Sequence, residues 1–147
     1  MPGLLRIFTI GYEGSTQADV IVALTAAGVE QVIDVRAVPL SRKPGFSKNV
    51  LKAGLAEAGI GYVHLKALGT PPAGREAARK GRWIELESIY AGQLELPEAM
   101  AQSAEMLALA AKKPSAVLCF ERLPSECHRS LLLSAVAPKA EVVDLFA

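Results

Sequence analysis

The sequence predicts an α/β fold, a three-layer sandwich around a mainly parallel sheet of about five strands, Rossmann-like in layout. Three observations carry that reading. Short apolar runs alternate with longer stretches of helical periodicity along the whole chain, the pattern of successive βαβ units. The run Ala116 to Phe120 is wholly apolar, as a strand covered on both faces should be. Finally, Leu24-x-x-Ala27-Gly28-Val29-x-x-Val32 is echoed by Leu55-x-x-Ala58-Gly59-Ile60-x-x-Val63, one βαβ unit further on. The loops after the two strands share nothing, so the echo reads as repeated architecture and not as gene duplication.

Leu4 to Ile10 is the first expected strand, and Gly11-Tyr12-Glu13-Gly14 turns the chain at its carboxyl end. Thr16 and Asp19 form a capping-box pattern before a helix with Val20, Ala23, Leu24 and Ala27 on one face. Gly28 suits the left-handed conformation that follows a helix. Val32 to Val35 is the second strand. A loop from Arg36 to Phe46 leads to Ser47, the expected cap of a helix that turns Leu51, Gly54, Leu55 and Ala58 inward and closes at Gly59. Tyr62 to Leu65 is the third strand. Gly69 to Gly74 reads as a turn-rich loop and Trp83 to Leu94 as helical. Pro97 suits the first turn of a helix with Met100, Ala104, Leu107, Ala108 and Ala111 facing the core, ended by Lys112-Lys113-Pro114. Ala116 to Phe120 is the fourth strand. Ser125 or a neighbour then caps a helix whose stripe is His128, Leu131, Leu132 and Ala135, and Val142 to Leu145 is the last strand.

With 147 residues, 51% of them hydrophobic, the chain fits one domain over residues 1–147 with room for a proper core. The Leu4 to Ile10 stretch is interrupted by Arg6 and falls far short of the ~20 apolar residues of a membrane helix, so neither a signal peptide nor a membrane partner is expected. Two cysteines are too few for a disulfide framework, which makes a reducing cytoplasm the natural setting. The net charge of +1 argues against indiscriminate nucleic-acid binding, yet the charges are segregated. Arg36, Arg42, Lys43, Lys48 and Lys52 occur without an intervening acid, and Lys66 to Arg82 adds five bases against Glu76 alone. Glu85 to Glu105 holds five glutamates and no base.

Open parallel sheets bind ligands at the carboxyl ends of their strands, and the polar residues gather there. Strand one ends at Tyr12-Glu13, strand two at Arg36 with Ser41-Arg42 beyond it, strand three at His64, and strand four at Glu121 with Cys127-His128-Arg129. A helix opening near Cys127 presents free N–H groups and partial positive charge, which suits anions and favours a thiolate. Cys127 therefore reads as an activated nucleophile or as a small residue shaping the helix mouth. The Cys-x-Arg spacing is not the phosphatase loop, which needs five residues between the two. His64 reads as a general base or phosphate donor, or as a histidine satisfied by structure. Glu121 reads as a general acid or base, or as the ion-pair partner of Arg129 or Arg36. Arg36, Ser41, Arg42 and Lys43 suit phosphate through bidentate guanidinium contacts, with His128 and Arg129 across the cleft. Tyr12 and Phe46 either stack on a base or cover the core. No metal is expected, because Cys119, Cys127, His128 and His64 fit no paired Cys-x-x-Cys spacing. Gly11-x-x-Gly14 is only half of a dinucleotide fingerprint, so no cofactor is expected either.

Several blocks together resemble the domain-of-unknown-function 488 family. They are Thr9-Ile10-Gly11-Tyr12-Glu13-Gly14, Asp34-Val35-Arg36, Pro39-x-Ser41-Arg42-x-Pro44-Gly45-Phe46-Ser47, Tyr62-x-His64, Leu68-Gly69, and Cys119-x-Glu121 before Cys127-His128-Arg129. They run in order from residue 9 to about residue 132, while residues 71 to 115 carry little of the resemblance. Where the family often has a second glycine after Leu-Gly, this chain has Thr70. The resemblance implies a small bacterial or archaeal α/β protein and supplies no reaction.

The sequence thus leads to an enzyme acting on a phosphate-bearing ligand, a nucleotide or nucleic-acid end, with hydrolysis as the reaction type. In that reading Arg36, Arg42 and Arg129 hold the anion, Tyr12, Glu13, Ser41 and His128 complete the binding set, and Glu121, His64 and Cys127 are catalytic. The alternatives are a non-catalytic nucleic-acid or nucleotide binder using the basic segments 36–52 and 66–82, and a thiol-based redox or stress sensor.

Overall fold

The computed structural model describes residues 5–147, so Leu4, the expected start of the first strand, lies outside the described residues. The elements are β1 (Arg6–Gly11), α1 (Gln17–Ala26), β2 (Gln31–Asp34), α2 (Lys48–Glu57), β3 (Gly61–His64), α3 (Pro72–Arg79), α4 (Trp83–Leu94), α5 (Pro97–Lys112), β4 (Ser115–Cys119), α6 (His128–Val136) and β5 (Glu141–Leu145). All strand pairings are parallel, and the order across the sheet is β3-β2-β4-β1-β5. The five-stranded α/β sandwich expected from the sequence is the observed architecture.

Alternation along each strand sorts side chains between two cores. Val32, Ala116 and Leu118 face α1 and α2, where they meet Val20, Leu24, Leu51 and Leu55. Ile33, Val117 and Cys119 face the other layer, with Tyr90 of α4, Met106 of α5 and Leu132 and Leu133 of α6. Each fully buried leucine of these layers contributes ~1.5–3 kcal/mol by removal from water. The capping box at α1 is present, with the Asp19 N–H donating to Thr16 Oγ1 and the Thr16 N–H donating to the Asp19 carboxylate. Gly28 and Gly59 take positive φ after α1 and α2, which a side chain would resist.

Helix faces were harder to read than helix positions. The buried residues of α5 are Ala99, Ser103, Met106 and Ala110, whereas Met100, Ala104, Ala108 and Ala111 of the expected stripe are exposed. In α6 the buried face is Arg129, Leu132 and Leu133, with Ala135 exposed. Both helices are rich in small or mixed residues, so hydrophobic contrast between neighbouring faces is weak. The cap of α6 is Cys127, whose sulfur accepts from the Arg129 N–H at 3.5 Å; Ser125 precedes it in a single 3-10 turn. Ser47 precedes α2 without capping it and instead bonds Ser41, its Oγ accepting from the Ser41 N–H and donating to the Ser41 carbonyl.

One close approach fixes where the cleft forms. A Cβ on Gly11 would sit 1.7 Å from the Glu121 carbonyl oxygen, so only glycine lets the end of β1 lie against the chain leaving β4. The Tyr12 and Glu13 N–H groups then donate to the Cys119 and Phe120 carbonyls, at 3.3 and 2.8 Å, and carry the pairing past the strand ends.

Candidate functional site

Over the carboxyl ends of β1, β2 and β4 lies a cleft of about 570 Å³. Its floor is formed by Tyr12, Arg36, Cys119, Phe120, Glu121 and His128; its walls come from the loop Val38 to Arg42 and from α3 and α4. Of the residues expected from sequence, Tyr12, Glu13, Arg36, Ser41, Arg42, Glu121 and His128 line it. His64, Cys127 and Arg129 do not.

Arg36 is held as a strut beneath the cleft. Its Nε and Nη2 donate to both oxygens of Asp34, at 2.8–3.1 Å, and its Nη1 donates to Tyr12 Oη at 3.1 Å and to the Phe46 carbonyl at 2.7 Å. Asp34 is 0% and Arg36 6% exposed. Burial alone would lower the Arg36 pKa, but the bidentate contact and the attraction of Asp34 outweigh it and raise the pKa further. Tyr62 Oη also donates to Asp34, and its pKa is pushed up, first by burial and then by that bond. Tyr12 and Phe46 stack on one another at 4.3 Å and are buried, so the expectation that they grip a base gives way to their covering the core. Phe120, expected inside the fourth strand, lies beyond β4 and rests edge-on against Tyr12.

Arg129 is likewise internal. With 0% exposure, its Nη1 donates to the Glu121 carbonyl at 2.6 Å and to Cys119 Sγ at 3.0 Å, and Nη2 donates to the Arg122 carbonyl at 3.1 Å. It clamps the loop after β4, while its buried Nε has no partner among the described residues. Burial pulls its pKa down, against the pull of Asp144 and Glu121. An anion role was expected for Arg129; in the structure its paired N–H groups face carbonyls and a sulfur of its own chain, and it does not line the cleft. His64, expected as a base or phosphate donor or as a histidine satisfied by structure, has Nε2 donating to the Arg36 carbonyl at 2.7 Å and does not line the cleft.

The thiols depart most from expectation. Cys119 and Cys127 are joined by a disulfide, and no described cysteine is free, so in this state Cys127 cannot act as a nucleophile. A strand end and a helix cap, eight residues apart in sequence, bring the two sulfurs together. His128 lies beside them. Its Nε2 donates to the Val35 carbonyl at 2.9 Å, and Nδ1 faces Cys127 Sγ at 3.8 Å. Burial pushes the imidazole pKa down to about 4, so the ring is neutral near pH 7 with its proton on Nε2 and a lone pair on Nδ1. The three donors Cys119 Sγ, Cys127 Sγ and His128 Nδ1 lie within 4.8 Å of one another. Glu121 Oε2 is 3.8 Å from Cys119 Sγ at the edge of the cleft.

The remaining walls hold what sequence reasoning missed. Arg75 and Arg79 of α3 and Trp83 at the start of α4 line the cleft beside Arg42. Arg79 also pairs with Glu76, and Trp83 is 44% exposed. The basic run from Lys66 to Arg82 was the signal for them. Pro71-Pro72-Ala73-Gly74 reads as a turn, so α3, the helix that carries Arg75 and Arg79 to the cleft, was hidden. The cleft can thus offer the guanidinium groups of Arg42, Arg75 and Arg79, an exposed indole, apolar surface from Val38, Leu40 and Leu86, and the carboxylates of Glu13 and Glu121.

A family model described as the domain of unknown function DUF488 matches residues 16–136. No curated protein and no solved structure matches the chain.

Proposed function

Taking as premise that the chain belongs to the DUF488 family, we propose that it binds a phosphate-bearing ligand with a ring system, a nucleotide or a nucleic-acid end, in the cleft over the sheet. The observation that carries this reading is the meeting of Arg42, Arg75 and Arg79 with the exposed Trp83 on one cleft of about 570 Å³. Guanidinium groups recognise phosphate oxygens bidentately, and an indole face stacks on a base at ~1–3 kcal/mol. Hydrolysis is the reaction type proposed, with Glu121 moving the proton. No helix among the described residues is long and apolar enough to cross a membrane, which fits a ligand met in water.

Trp83 is the sole tryptophan, so its fluorescence reports directly on the cleft. Titration with nucleoside mono-, di- and triphosphates should quench it saturably. Arg42→Ala and Arg75→Ala should each weaken binding by roughly 10–100-fold, the loss of one charge-assisted contact. Absence of quenching by every nucleotide and short oligonucleotide would remove the reading. Turnover lost on Glu121→Gln with affinity retained would place the carboxylate in the chemistry. The Cys119–Cys127 bond favours a second reading, a thiol redox response, in which ligand affinity differs between oxidised and reduced chain.

A further inference from the structure

We infer that, once its disulfide is reduced, the chain holds one thiolate-preferring divalent cation of the zinc type on Cys119 Sγ, Cys127 Sγ and His128 Nδ1, with a fourth position facing the cleft. The inference goes beyond the phosphate reading and does not depend on it.

The three donors already converge within 4.8 Å, from a strand end and the first turn of α6. Two thiolates and one imidazole are the ligand types a tetrahedral zinc-class ion selects. A disulfide has no need of an imidazole, yet here one is built in with its orientation fixed. The Val35 carbonyl can only accept, so Nε2 carries the proton and the bare Nδ1 is turned toward the sulfurs. A backbone carbonyl holding the far nitrogen is the usual support of a metal-ligating histidine. Arg129 adds two N–H contacts, Nη1 to Cys119 Sγ and the backbone N–H to Cys127 Sγ, both of which favour negative charge on sulfur. Three protein ligands leave one position open, and Cys119, Glu121 and His128 line the cleft on that side. Sequence spacing argued against a metal because it looked for paired Cys-x-x-Cys, whereas this set is assembled by the fold.

The redox balance is simple. A dithiol reductant breaks the Sγ–Sγ bond, becomes a disulfide itself and leaves a proton on each cysteine; the cation then displaces those protons to solvent.

The experiment uses the whole chain, reduced with a dithiol and desalted under anaerobic conditions, and titrated with Co(II) as a spectroscopic probe. Expected are uptake of one Co(II) per chain, a sulfur-to-cobalt charge-transfer band, tetrahedral ligand-field bands, and displacement of both by Zn(II). The oxidised chain has the same sequence and fold but no thiolates, and must show none of these bands. Cys119→Ser and Cys127→Ser should each diminish the charge-transfer band, and His128→Asn should weaken affinity at least ~10-fold, with circular dichroism confirming that each variant is folded. A reduced wild-type chain without the charge-transfer band overturns the inference, and so does equal uptake by the oxidised chain, which would be adventitious binding. Unchanged affinity in a folded His128→Asn chain removes the imidazole from the site and overturns the proposed ligand set.

Discussion

If Arg36 is a strut, Asp34→Asn should damage stability far more than an uncharged, isosteric change normally does. The substitution removes the carboxylate charge paired with a guanidinium that is 6% exposed, and leaves the Arg36 charge facing neutral acceptors, the new amide oxygen, Tyr12 Oη and the Phe46 carbonyl. Breaking a buried pair from one side costs about 3–5 kcal/mol, because the surviving charge is both desolvated and unpaired. A domain of this size loses roughly 2–4 °C of Tm per kcal/mol, so the melting point should fall by roughly 6–20 °C. Urea unfolding followed by Trp83 fluorescence and by circular dichroism measures the same loss as a shift in midpoint. Removing both charges together, Asp34→Leu with Arg36→Met, should recover much of it, since an apolar pair of similar volume has no charge to strand. A loss below ~1 kcal/mol for Asp34→Asn would refute the reasoning. Arg36 would then be solvated and available to a ligand, as its place in the sequence suggested.

Three further outcomes follow from the geometry. Gly11→Ala would place a methyl group 1.7 Å from the Glu121 carbonyl oxygen, so it should cost several kcal/mol or prevent folding, as read by yield and Tm; a near-neutral result would mean the loop after β4 yields easily. Acid should destabilise the oxidised chain through His128. Its folded pKa lies below the unfolded one, so the neutral ring's contribution is full above pH ~6.5 and is lost as pH falls toward about 4. Unfolding free energies from urea titrations between pH 7 and pH 4 should drop by up to ~3 kcal/mol more in wild type than in His128→Gln, and parallel profiles would contradict the buried, neutral imidazole. Thr16→Ala removes the α1 cap and should cost ~1 kcal/mol, whereas no loss would show that water replaces the cap freely.

What could be read from the sequence was what depends on local pattern. The strands, the α1 capping box and the glycines after α1 and α2 were all legible, because each is fixed by a few neighbouring residues. The congregation of Tyr12, Glu13, Ser41, Arg42, Glu121 and His128 on one cleft was legible too, since parallel topology alone places strand ends together. Partnership was not. Arg36 and Arg129 look like ligands when only their charge and position are known; Asp34 two residues earlier, and the carbonyls of Glu121 and Arg122, become visible as their partners only in three dimensions. The meeting of Cys119 with Cys127 depends on how β4 hands over to α6, which no spacing rule encodes. Arg75 and Arg79 belong to α3, whose Pro-Pro-Ala-Gly opening resembles a loop, so the basic run was visible but the helix that carries it to the cleft was not.

The position of β4 between β2 and β1 governs how this protein is made. Neither β1 nor β2 can reach its central neighbour until Ser115–Cys119 has been synthesised, since the two are not paired with each other. During translation the emerging chain can form β2 beside β3 with α1 and α2, but β1 waits unpaired for most of the polypeptide. The strand that joins the two halves of the sheet also supplies Cys119, so the cleft and its sulfur pair come into being in one late, cooperative event.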